Sequence, residues 1–194
     1  MANSINYNDE LKAAIKAATL FTYGKNDRLP LTCVLINATA DSVSVHATDS
    51  FTAFRYTCKN DEGGQFTALL SAADAKALAS VKLQANKIYY LAAEDGTLKL
   101  KHCGETINVF VLQTLTYPGA DNLDRLIDNA DNATPGVTCF NAAYVERACK
   151  AVRLIANKKE KRAVFTFSPD QASLVKCTGE RGAAQMLVMP VRQK

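Results

Sequence analysis

The sequence predicts an α+β fold: three strand–helix–three-strand units, with antiparallel sheets outside and the helices on one face. Three observations carry it. Residues 138–194 read TCFN, AAYVERACKAVRLIANKK, RAVFTFS, SLVKCT and AAQMLVMPVRQK, which is strand, helix and three strands. The same order is legible twice upstream. Neighbouring strands are joined by short turn signals such as Asp95-Gly96, which makes them antiparallel.

The first unit opens on a short strand at 4–8. Asn8 or Asp9 caps a helix from Glu10 to about Tyr23, ended by Gly24. Leu11, Ala14, Ile15, Ala18 and Phe21 share one face of it, and Lys12, Lys16, Thr19 and Tyr23 line the other. The loop GKNDRLP follows, and then LTCVLINAT, a buried strand rich in branched residues. SVSVHAT alternates as a half-buried strand, and SFTAFRYTC is the third.

In the second unit FTALL is the strand. Ser71 caps the next helix, with Asp74 three residues on, and Ala75 and Leu78 turn inward while Lys76 and Ser80 turn out. KIYYLAAE, TLKLKHC and TINVFVLQTL are its three strands. Residues 117–136 are rich in Pro, Gly, Asn and Asp and read as a linker with one apolar patch, Leu123, Leu126 and Ile127, able to dock. In the third unit Asn141 caps the helix. Tyr144, Ala148, Val152 and Ile155 face in, and Arg147, Lys150 and Arg153 face out.

The 194 residues suit one large domain or one and a half smaller ones, and the formal charge of +4 permits a polyanionic partner without demanding one. The apolar runs are too short to span a bilayer, and the N-terminus lacks a signal-peptide pattern. A cytoplasmic protein is expected. The six cysteines show no C-x-x-C pairing and read as buried or bystander thiols.

No zinc-ligand spacing, phosphate-cradling glycine loop or cofactor motif is present, so no cofactor or metal is expected. His46 and His102 sit in strands, and Asp49 has no carboxylate partner at a fixed spacing. A small hydrolase using Cys149 or an Asp is the catalytic alternative. A single basic helix face is what any solvated helix shows. Three with the same asymmetry point to a common surface that meets phosphates without reading bases.

Four stretches bear a resemblance. LKAAIKAATLFTYGKNDRLPLTCVLINAT with VSVHATDSFTAFRY, then Tyr117-Pro118, then CFNAAYVERACKAV, and the ending VMPVRQK occur in one order. Together they resemble the bacterial sliding clamp, the beta subunit of DNA polymerase III, over most of this chain but in about half the family's length. The resemblance implies a non-catalytic ring of clamp domains around duplex DNA. Sheets lie outside and basic helices line the hole, and a polymerase or other protein is tethered by a short peptide, with a clamp loader as a further partner. The compact size suggests a phage or mobile-element form.

Carried over, the DNA-facing cations are Lys12, Lys16, Lys25, Arg28, Lys76, Lys82, Arg147, Lys150, Arg153, Lys158 and Lys159. The implied peptide pocket is Thr48, Ser50, Phe51, Ala53, Pro118, Leu123, Met189, Pro190, Val191 and Arg192; equally, Met189 and Val191 fit the end of an edge strand. The family's Gly-His-Arg-Leu stands here as Ser50-Phe51-Thr52-Ala53, and its final Leu as Gln193. The expected division is a complete two-unit domain at 1–118, a linker at 119–136 and a half-domain at 137–194. That half-domain is expected to pair with the same unit of a second chain, giving a dimer or tetramer. A clamp-derived adaptor or inhibitor that does not encircle DNA is the other binding reading.

Overall fold

The computed structural model describes residues 3–132, 136, 138–156, 162–168 and 171–191. The first unit is β1 (Ser4–Asn6), α1 (Asp9–Ala18), β2 (Cys33–Ala38), β3 (Ser42–Thr48) and β4 (Thr52–Lys59). The second is β5 (Phe66–Ser71), α2 (Ala72–Ser80), β6 (Tyr89–Glu94), β7 (Thr97–His102) and β8 (Glu105–Val111). A helix, α3 (Ala120–Asp131), precedes α4 (Ala142–Ile155), β9 (Val164–Thr166), β10 (Ser173–Thr178) and β11 (Gly182–Val188).

The predicted caps form. Asn8 Oδ1 accepts from Leu11 N at 2.9 Å, and Ser71 Oγ accepts from Asp74 N at 3.1 Å. α1 stops short of Tyr23 and tightens into a 3-10 turn at Thr19–Phe21, where the Thr19 and Thr22 hydroxyls donate to backbone carbonyls three residues back. The loop after Gly24 carries a 3-10 segment, Asn26–Thr32.

The first two units exchange strands. One sheet runs β1-β6-β7-β8, and β5 joins β2-β3-β4 in the other. That second sheet continues past the expected domain boundary, because β4 pairs antiparallel with β11 and gives the order β5-β2-β3-β4-β11-β10-β9. Side chains alternate across it. Val34, Ile36, Val45, Phe54, Tyr56, Val175, Ala184 and Met186 face one core shared with α1, α2 and α4. The sheet of β1, β6, β7 and β8 gives Ile5, Leu91, Leu98, Leu100 and Phe110 to the same core. α1 packs beside both α2 and α4, so these three helices form one layer.

The opposite face of the seven-stranded sheet carries α3. The stretch read as a linker is helical because Leu123, Ile127 and Ala130 recur at helical spacing and bury against Ala53, Leu174 and Leu187. Its other anchor is polar. Arg55 donates to Asp124 Oδ1 at 2.8 Å, Asp128 Oδ1 at 3.2 Å and Gln185 Oε1 at 3.0 Å, and Lys176 pairs with Asp131. The expected strand at 138–141 does not form; within it, Cys139 O accepts one backbone bond from Val191 N at 2.9 Å.

Candidate functional site: the helix layer and the tail groove

Most of the predicted cations reach solvent along the helices and the loops after them. Lys16 on α1, Lys76 on α2, and Lys150 and Arg153 on α4 are exposed, as is Lys82 beyond α2; Lys12 is half-buried. Lys150 also meets Glu146 one turn back, at 2.9 Å. Lys25 and Arg28 are exposed in and beside the 3-10 segment, where Arg28 lies over the Tyr23 ring and reaches Ser50 Oγ at 3.4 Å. Lys158 and Lys159 lie outside the described residues.

Arg147 is engaged differently. It is half-buried, pairs with Asp49, donates to Thr52 Oγ1 at 2.9 Å and lies over the Tyr144 ring. Asp49, read as a partnerless carboxylate, is therefore a hub. It is buried, and its Oδ1 accepts from Phe51 N at 3.0 Å, Thr52 N at 2.7 Å and Thr52 Oγ1 at 2.9 Å. These bonds wind the β3–β4 turn tightly enough to hold Ser50 at φ 76. An Arg-bound, turn-winding carboxylate is structural in its chemistry.

That turn gathers part of the predicted pocket. Thr48 Oγ1 donates to Thr52 O at 2.8 Å and accepts from Ser50 N at 3.2 Å. Phe51 stands half-exposed, stacked on Tyr144 at 6.1 Å between centroids. Met189 N donates to Phe51 O at 3.0 Å, so the tail follows the turn. Beyond it Pro190 is half-buried and Val191 exposed. Ala53 and Leu123 do come together, but buried between the sheet and the underside of α3 and not as open walls. Pro118 is exposed before α3, and Arg192 lies outside the described residues.

An open groove of about 560 Å³ lies alongside. Met189 forms one wall, Leu126, Asn129, Ala130 and Asn132 of α3 another, and Gln171 and Ala172 complete it. Of these only Met189 belongs to the predicted set. A linker reading of 117–136 conceals the α3 wall, although Leu123, Leu126 and Ile127 already have helical spacing; Gln171 and Ala172 lie between β9 and β10, where no sequence motif points to them. The exposed Leu126 and Met189 could hold an apolar side chain, with asparagine amides beside them for a peptide backbone.

Beneath α3, His46 is buried, and its Nδ1 finds no hydrogen-bond partner; Asp124 Oδ1 is 3.9 Å away, beyond bonding reach. Burial holds its pKa below the usual imidazole value. The Asp124 charge opposes that shift and Arg55 adds to it. Burial also raises the Cys33, Cys58 and Cys177 thiols, the last to about 11, which leaves them poor nucleophiles. The cysteine that meets a histidine is Cys103, 3.3 Å from His102 Nε2 in an exposed turn. Among the described residues no cluster of three or more His, Cys, Asp or Glu could hold a metal ion, and no described helix is long and apolar enough to cross a membrane.

Solved structures place this architecture. The beta subunit from DNA polymerase of Streptococcus pyogenes superposes with a TM-score of 0.77 at 15% identity, over 100% of this chain and 67% of that one. This chain has the sliding-clamp fold. The Bacillus subtilis sliding clamp matches with a TM-score of 0.74 at 13% identity, over 100% and 65% of the two chains. A sliding clamp from Pseudomonas aeruginosa bound to griselimycin gives 0.71 at 10%, over 98% and 65%. The chain thus spans about two thirds of the length of these clamps. No family model matches it, and no curated protein does. In the clamp fold, α1, α2 and α4 belong to the helix layer, and the β3–β4 turn and C-terminal tail are the stretches whose resemblance implied a peptide pocket.

Proposed function

We propose that this protein is a DNA sliding clamp, a processivity factor that surrounds duplex DNA without reading its sequence and tethers a DNA polymerase or another protein. One observation carries the reading: three helices form a single layer and expose Lys16, Lys76, Lys150 and Arg153 from it. Cations on helix faces meet phosphate charge and not base edges, so they hold DNA loosely and non-specifically. Arg147 is left out of this set, because Asp49 neutralises it.

The chain supplies three units, one and a half domains. The third is open where a fourth would complete it, and we propose that the same unit of a second chain fills that place. Two chains then make three domains, and four supply the twelve units of a ring. The Met189–Leu126 groove is the proposed seat of the partner's peptide.

Retention on DNA tests the reading. A clamp stays on nicked circular DNA and is lost when the circle is cut. Reversing Lys12, Lys16, Lys150 and Arg153 to Glu should abolish retention while leaving the fold intact. Equal binding to linear and circular DNA, falling steeply with salt, would reduce the function to plain phosphate binding.

A further inference from the structure

One thiol of this chain is set beside a base. β7 ends at His102, and the turn into β8 is Cys103-Gly104, with Cys103 at φ 51 and Gly104 at φ 84. Two successive left-handed residues make the tight hairpin turn in which Asn-Gly is the usual pair. Cys103 stands where asparagine would serve the turn better, and it is exposed. Its Sγ lies 3.3 Å from His102 Nε2 and 3.7 Å from Nδ1.

The imidazole is oriented from behind. His102 Nδ1 is 2.8 Å from Ile88 O. A carbonyl only accepts, so Nδ1 carries the proton and Nε2 presents its lone pair to the thiol. The ring also stacks on buried Tyr89, with 4.9 Å between centroids, and the Tyr89 hydroxyl accepts from Gln84 N at 3.2 Å. Nucleophile, base and orienting group thus stand in a row, the arrangement that activates a weak nucleophile. The charged neighbours are Glu105, opposite His102 in the β7–β8 register, Lys101, which is bound to Glu94, and Lys87, exposed next to Ile88.

We infer that Cys103 is a thiol–disulfide exchange site, which attacks a low-molecular-weight disulfide and is left carrying half of it. As Cys103 Sγ bonds to one sulfur of the disulfide, its proton passes to His102 Nε2. The S–S bond breaks, and the departing thiolate takes that proton from the imidazole. One thiol and one disulfide are consumed, and one mixed disulfide and one thiol are formed. The thiol sits on an exposed turn, so the incoming S–S bond can line up with Sγ without entering a pocket. A small, flexible disulfide meets that requirement with the least loss of freedom.

The other thiols lack this setting. Cys33 and Cys177 are buried, and Cys58 and Cys149 are half-buried. The second of the two histidines, His46, is buried beneath α3. Cys139 is exposed and supplies a comparison within the same chain. The inference rests on the β7–β8 hairpin alone and is independent of the clamp reading.

Glutathione disulfide is the probe. It is added to the full chain at about pH 7 and stopped with acid, and the peptide carrying each cysteine is read by mass. Cys103 should acquire the glutathionyl group about tenfold or more faster than Cys139, and dithiothreitol should remove it. His102→Asn keeps an N–H donor toward Ile88 O and removes the base, so it should slow Cys103 by about the same factor. At about pH 10, well above the ordinary thiol value of about 8.5, thiols are ionised without help. There the wild type and His102→Asn should react alike. Equal rates at Cys103 and Cys139 in the wild type would overturn the inference, and so would a Cys103 rate that His102→Asn leaves unchanged at the lower pH. A wild-type advantage as large at the higher pH as at the lower would assign the reactivity to exposure alone and overturn it as well.

Discussion

The second and third units have the same order of elements and different surroundings. In the second, β5 pairs with β2 over six positions and β6 with β1 over three, both supplied by the first unit. In the third, residues 138–141 form no strand, and β9 is three residues long and, among the described residues, pairs with β10 alone. The local patterns do not explain this, since CFN and VFTF are as rich in strand-forming residues as FTALL. The difference is the partner. A strand's backbone groups need a neighbour, and without one the pattern gives a short, exposed edge. Val164 on β9 is 63% exposed, whereas Leu91 on β6 is fully buried.

Leu91→Ala removes a packed side chain from the core shared by the first two units. It should cost about 3 kcal/mol in urea unfolding, in line with large-to-small core substitutions. A loss under about 1 kcal/mol would mean that the complete domain is no better packed than the half-domain.

The joint between the first and third units is next. A Cβ at Gly182 would lie 2.4 Å from Thr57 O and 2.6 Å from the Tyr56 ring. Thr57 O belongs to the paired strand and cannot rotate away, so Gly182→Ala should cost on the order of 2–3 kcal/mol. Hydrogen exchange should rise first in β9, β10 and β11 and leave β1, β6, β7 and β8 protected. Uniform loss of protection would show that the whole molecule is one cooperative body.

Arg55→Ala sharpens the contrast on the outer face. It leaves Asp124 and Asp128 without their cation, though both carboxylates are partly solvated. A cost of about 1–2 kcal/mol follows, with protease cleavage appearing within residues 120–131. Cleavage elsewhere would mean that α3 is held by its apolar face alone.

These residues also show what was legible beforehand. The helix caps at Asn8, Ser71 and Asn141 and the inward faces of the helices follow from local spacing and form, as do the first two strand–helix–three-strand units; the third unit lacks the strand expected at 138–141. α3 was hidden because its composition is that of a loop; its helix is held by Arg55 and Lys176 on strands distant in sequence. Asp49 looked partnerless because Arg147 is far along the chain. The wall of the groove was lost with α3. Long-range pairs of this kind leave no periodic trace.

Acid should loosen the same outer face. Burial lowers the pKa of His46 in the folded protein, so the unfolded chain binds the proton more readily. The stability tied to neutral His46 is present above about pH 6.5, the unfolded value, and is lost as pH falls through the lower folded value. Urea midpoints taken between roughly pH 8 and pH 5 should drop on the acid side for the wild type and drop less for His46→Gln. Parallel curves would assign the acid sensitivity to carboxylates such as Asp124.

The smallest expected effect decides the comparison. Val164→Thr keeps the branched shape and strand preference at an exposed position, so at low protein concentration it should change stability by under about 0.5 kcal/mol. If β9 is an edge waiting for a second chain, wild-type stability should rise with protein concentration, because association favours the folded state by mass action. The variant should gain less, since it sets a hydroxyl where the partner's apolar surface would lie. The concentration dependence therefore carries the information and the single-concentration value does not. A cost near that of Leu91→Ala at the lowest concentration would mean that Val164 is already buried within one chain. The third unit would then be complete as it stands, and its difference from the second would need another cause.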